Sequence, residues 1–195
     1  MGRISQRRAP AEPCTYTHLA IGLHWAIALL IFAAFPLGLY MHDLPLSPYK
    51  LRVYSYHKWI GVAVLALVLV RVTWRATHRP PRLPSTMLPW ERAAALSMCW
   101  LLYVLTIVVP VSGWLTSSAQ GFQTVWLGIL PLPDLVPKDR QLARSLVDIH
   151  TALCFFMMAC VGLHIAAALK HHFLTQDDVL FNMMPFRRRQ TDHSA

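Results

Sequence analysis

The chain has 195 residues, 55% hydrophobic and 14% charged, against about 25% charged in an ordinary soluble domain, which argues against a water-soluble globule. Its net charge is +9 and its pI near 9.9, but the basic residues stand at the ends of long apolar runs. They therefore face a membrane surface and not a nucleic acid. Cys14, Cys99, Cys154 and Cys160 have neither CxxC nor CxxCH spacing, which removes covalent haem attachment and the usual zinc and iron-sulfur patterns.

Residues 1–15 carry Arg3, Arg7 and Arg8 with no short apolar stretch and small-residue cleavage site behind them, so they read as a cytoplasmic tail. A bilayer core of about 30 Å takes roughly 20 apolar residues as helix, and four windows qualify. They run from Leu19 to Met41, His57 to Trp74, Ala93 to Leu115 and Ile149 to Leu169. Pro36 and Pro110 fall late in the first and third, where neighbouring helices can satisfy a freed carbonyl. The segment Thr77–Pro89, with Pro80, Pro81 and Pro84, reads as an extended linker. The longer one, Ser117–Ser145, reads as an amphipathic piece on the membrane surface. No repeat is evident, so the expectation is one all-α, integral-membrane four-helix bundle over residues 16–189, followed by a short tail, 190–195.

With the N-terminus inside, twelve basic residues lie inside: Arg3, Arg7, Arg8, Arg71, Arg75, Arg79, Arg82, Arg92, Lys170, Arg187, Arg188 and Arg189. Six lie outside: Lys50, Arg52, Lys58, Lys138, Arg140 and Arg144. The positive-inside rule puts both termini in the cytoplasm.

Ionisable side chains within a span are costly and mark function by default. Four of the ten histidines qualify, lying within the spans or at their first turn: His24 about 7 Å into the first span, His164 near the inner exit of the fourth, and His57 and His150 at the first turns of the second and fourth. Helix direction puts His24 and His164 in the inner half and His57 and His150 in the outer half, so depth pairs them in that way. The 14 residues from His150 to His164 turn a helix through about 1400°, close to four full turns, and rise about 21 Å. Both rings share a face, with room for two metal groups in opposite leaflets. Neutral imidazole is a natural axial ligand of haem iron, and bundles place such ligands on facing helices. Zinc or copper would want acidic or cysteine ligands as well, and the span cysteines are not expected beside these histidines. Met157 and Met158 are read as packing residues.

His24-Trp25, Gly162-Leu163-His164, Ala166-Ala167-Ala168, His171-His172 and Asn182-Met183-Met184-Pro185 before an arginine run resemble the bacterial cytochrome b561 family over roughly Tyr16 to Arg189. That resemblance implies a bacterial inner-membrane protein with two b-type haems per chain, ligated by His24/His164 and His57/His150. It also implies transmembrane electron transfer. Some members are superoxide oxidases that reduce ubiquinone, whereas others serve as membrane anchors for a dehydrogenase or hydrogenase partner. The chain departs from the family at His18, where arginine is expected, and at Thr151, where glutamate often follows the ligand.

If superoxide is the substrate, outer cations would concentrate it, with Lys58 and Arg144 as the outer-face candidates and no acid or base required. Quinone reduction also needs protons and an apolar slot, for which Trp59, Trp114, Trp126, Asp134 and Asp148 are available. Without a catalytic role, the chain is an electron conduit docking a redox partner. A third reading is a haem-free membrane protein whose histidines pack or bind another metal.

Overall fold

The computed structural model describes residues 16–78, 80–81, 87–175 and 180–184. The tail arginines, Arg79, Arg82, Cys14 and Pro185 lie outside the described residues. Four long helices account for the bundle: α1 His18–Asp43, α2 Pro48–Thr77, α3 Pro89–Gln120 and α4 Arg140–Lys170. Each contains a stretch long and apolar enough to cross a membrane.

All four windows are found, but α2 and α4 begin nine residues earlier than hydropathy indicates. Hydropathy marks the part that must avoid water, whereas capping groups set where a helix starts. Ser47 Oγ accepts from Lys50 N, with Pro48 at the first helical position. Asp139 accepts from the amides of Gln141 and Leu142. As a correction, His57 and His150 are therefore not in first turns, and their helices continue outward by about 14 Å. The other starts are similarly closed: Thr17 Oγ1 accepts from Ala20 N, and Glu91 reaches back to Leu88 N.

Packing runs in series, α1 on α2, α2 on α3 and α3 on α4. The wall between α1 and α4 is closed by side chains, among them Phe35 edge-on to Phe155 at 5.5 Å. The core joins Ile27 and Ile31 of α1, Val64 and Val68 of α2, Leu105 and Val109 of α3, and Met157 and Cys160 of α4. Met157 is a packing residue, as expected. Large apolar side chains such as Leu29, Phe32, Leu69, Val104 and Leu163 remain exposed, which a bundle tolerates only where lipid surrounds it.

The outer α3–α4 connection, expected as an amphipathic piece, contains a short hairpin. Val125–Trp126 (β1) pairs antiparallel with Leu130–Pro131 (β2) around a turn holding Leu127 and Gly128 at positive φ. Indole N–H groups fasten it: Trp59 donates to the Val125 carbonyl at 2.7 Å, Trp126 to Trp59 at 3.2 Å and Trp114 to Pro133 at 3.0 Å. The hairpin caps the outer end of the bundle, with Leu127, Ile129 and Leu130 exposed.

α3 ends on Gly121 in the left-handed region, φ 76°, with a Cβ there meeting the Lys138 side chain at 2.7 Å. Gly121→Ala should cost about 1–2 kcal/mol through the left-handed conformation alone. It should therefore lower the thermal unfolding midpoint in detergent, and an unchanged midpoint would contradict this.

Candidate functional site

His24 and His164 face each other across α1 and α4 with ring centres 6.4 Å apart. His57 and His150 do the same across α2 and α4 at 6.3 Å. Two imidazoles on opposite sides of one ion, at about 2 Å per metal–nitrogen bond and about 1 Å more to each ring centre, stand about 6 Å apart. Both pairs leave an ion's width between them. α4 is unbroken from Arg140 to Lys170, so His150 and His164 keep their common face, with buried Met157 halfway between.

The outer rings are oriented by groups that sequence reasoning missed. His57 Nδ1 lies 3.1 Å from the Ala34 carbonyl, which can only accept, so Nδ1 carries the proton and Nε2 is left with its lone pair. His150 Nδ1 lies 2.9 Å from Ser112 Oγ. Since Ser112 gives its own proton to the Val109 carbonyl at 2.8 Å, His150 Nδ1 is again the donor. Fixing a ligand's tautomer through its second nitrogen is how proteins prepare histidine for metal.

Glycine admits both rings against their neighbouring helices. A Cβ on Gly38 would stand 3.2 Å from His57 Cε1, and one on Gly113 would stand 3.0 Å from His150 Cε1. A glycine inside an apolar helix was the available signal.

The cysteine expectation needs correction. Cys154 follows His150 by one turn, its Sγ 3.6 Å from Nε2, and Cys160 precedes His164 by one turn. Even so, among the described residues no group of three or more His, Cys, Asp or Glu converges on a metal position. Two-ligand sites suit a metal that arrives with its own equatorial ligands, as haem iron does, and not a bare zinc or copper ion.

At the inner end, Trp25 stands edge-on to His24 and donates to the Met183 carbonyl at 2.7 Å. This brings the C-terminal Asn182-Met183-Met184 segment back onto α1 beside the inner pair. Lys170 and Glu91 join the ends of α4 and α3 at 2.9 Å.

Over residues 15–186 the sequence matches the family described as prokaryotic cytochrome b561. The chain belongs to that family. Cytochrome b561 homolog 2 of Escherichia coli K12 is 30% identical over 173 residues, covering 88% of this chain and 92% of that protein. The probable superoxide oxidase CybB of Yersinia pestis is 28% identical over 183 residues, 89% and 97% respectively. Cytochrome b562 of Cereibacter sphaeroides is 30% identical over 175 residues, 87% and 94%. This member of the cytochrome b561 family is thus a multi-pass protein of the bacterial inner membrane that uses b-type haem for electron transfer.

Among the outer candidates, Lys58 Nζ donates to the Phe122 carbonyl at 3.1 Å, so it also anchors the outer connection. Arg144 lines an open depression with Gln120, Val147 and Asp148. Trp59, Trp114 and Trp126 use their single N–H donors on backbone carbonyls, which leaves Asp134 and Asp148 as the polar groups of that set. Gly113→Ala should displace the His150 ring and alter the outer pair alone. We expect the 3.0 Å contact of the added Cβ with His150 to lower the thermal unfolding midpoint in detergent, and an unchanged midpoint would contradict this packing.

Proposed function

We propose that this cytochrome binds two b-type haems, one between His24 and His164 and one between His57 and His150, and moves electrons between the two sides of the membrane. Residues 16–189 form the electron-transfer domain between two short tails, with both tails in the cytoplasm. The single observation carrying this reading is the separation of about 6 Å in both histidine pairs, set on one face of α4. Bound haem supplies reversible one-electron chemistry. The chain supplies orientation, through the Ala34 carbonyl and Ser112 hydroxyl, and burial, through the apolar layer around Met157 and Val68.

Superoxide is the proposed donor at the periplasmic face and ubiquinone the proposed acceptor. Two superoxide anions and two protons per quinone give two O2 and one quinol. Releasing an electron from superoxide needs no acid or base, so the protein's task there is attraction. Arg144 lies six residues from His150 along α4, about 9 Å on the helix axis, and Lys58 is next to His57. Both bring positive charge to the outer pair. Asp134 and Asp148 are carboxylates on the same side that could pass protons to quinone. The name of the Yersinia relative supports this choice of donor.

A second reading, an electron conduit for a docked redox protein, draws on the relatives named only as cytochromes. The two differ in what the purified protein does alone. Superoxide pulses should reduce it and pass electrons to a ubiquinone analogue; reduction no faster than in His57→Ala would favour the conduit.

Arg144→Gln should slow reduction by superoxide about two- to tenfold at low ionic strength, a steering loss that salt erases. Stopped-flow rates equal to the unmodified chain at low salt would remove Arg144 from substrate capture. His150→Ala should eliminate the outer haem and spare the inner one, as read from the reduced-minus-oxidised spectrum.

A further inference from the structure

The second helix repeats the pattern of the fourth with one substitution of chemistry. In α4 the stripe is His150, Met157, His164; in α2 it is His57, Val64, Arg71. Val64 is buried, so this stripe of α2 faces the bundle interior. The 14 residues from His57 to Arg71 amount to nearly four turns and about 21 Å. Arg71 therefore stands on the face that carries His57, level with the inner pair.

Arg71 has company, but no counter-ion among the described residues. Its Nε donates to the Tyr103 hydroxyl at 3.0 Å, and its guanidinium lies 5.6 Å from the Tyr103 ring centre. Arg75, one turn further on, lies over the same ring at 5.5 Å and over Trp100 at 5.6 Å, and shares a cleft with the Tyr16 phenol. Among the described residues neither arginine is ion-paired to a carboxylate, as His42 is to Asp43 and Lys170 is to Glu91. Both arginines are half-buried. They line a narrow cleft with Tyr16, Ala20, Trp74 and Tyr103, and Ala20 is one turn from His24.

Two like charges, one turn apart and partly withdrawn from water, repel; with no carboxylate beside them among the described residues, they offer a site to an anion from outside the protein. Arginine's planar fork suits a carboxylate or a phosphate. Haem carries two carboxylates, and the inner haem of the proposed reading would be at this level.

We propose that Arg71 and Arg75, with the hydroxyls of Tyr103 and Tyr16, form a carboxylate-binding site that holds a propionate of the inner haem. This rests on His24 and His164 as the ligands of that haem. Arg71 is then a positioning residue whose charge also favours the reduced form. Arg75 completes the clamp from the next turn, and Trp74, tied to Thr17 Oγ1 at 2.9 Å, closes the cleft between α1 and α2.

The test compares Arg71→Gln, Arg71→Lys and the unmodified holoprotein in detergent, by potentiometric titration and redox-difference infrared spectroscopy. Arg71→Gln should keep both haems, lower the inner midpoint potential, leave the outer one unchanged and shift the propionate carboxylate bands. Arg71→Lys should restore most of the potential but not the bands, because a point charge replaces the fork. Should Arg71→Gln fail to fold, the lysine variant carries the same test through its bands. Unchanged bands and inner potential in variants with both haems would overturn the proposal. So would unchanged bands with loss of co-purifying phospholipid from Arg71→Gln, which would assign the site to a headgroup phosphate. An unmodified chain lacking a b-type spectrum would instead overturn the haem reading beneath it.

Discussion

An imidazole inside a bilayer must have a partner, and α4 carries two of them on one face, 14 residues apart. That constraint organises the rest of the bundle. α1 must bring His24 to the level of His164, and α2 must bring His57 to the level of His150. α3 touches neither pair with a histidine of its own, yet it supplies Ser112 and Gly113, which seat His150. The apolar layer of Met157, Val64, Val68 and Leu105 fills the space between the two levels and keeps water out.

The two ends are built differently. The outer rings are oriented by hydrogen bonds from neighbouring helices, and the hairpin fastened by three indoles covers that end. At the inner end the C-terminal segment returns to Trp25, and two arginines with no carboxylate partner among the described residues stand near the level of the histidine pair. An orienting carbonyl and hydroxyl at the outer pair, and the Arg71–Arg75 cleft near the inner one, give the two sites different surroundings despite equal ring separations.

Much of this was legible in the sequence because the signals were energetic and local. Runs of about 20 apolar residues have few alternatives to a span, and helical phase and depth set the four histidines at the two levels where their rings lie 6.4 and 6.3 Å apart. The helix ends were less legible: Ser47 and Asp139 cap beyond the apolar windows, in stretches where charged residues conceal helical continuity. Ala34, Gly38, Ser112 and Gly113 are small neutral residues whose role depends on which helix face meets which, information that no single segment contains. Cys154 was a different matter, since its four-residue spacing from His150 was countable. The hairpin was obscured by strands only two residues long, held by indole contacts from distant helices.

The central claim is that one chain holds two haems, each between two histidines at opposite ends of a shared helix face. Haem content per chain, measured together with the spin state and carbon monoxide binding of the reduced protein, tests it most directly. Two low-spin b-type haems per chain, neither binding carbon monoxide, is the predicted result. One haem per chain, or a high-spin haem that binds carbon monoxide, would contradict it.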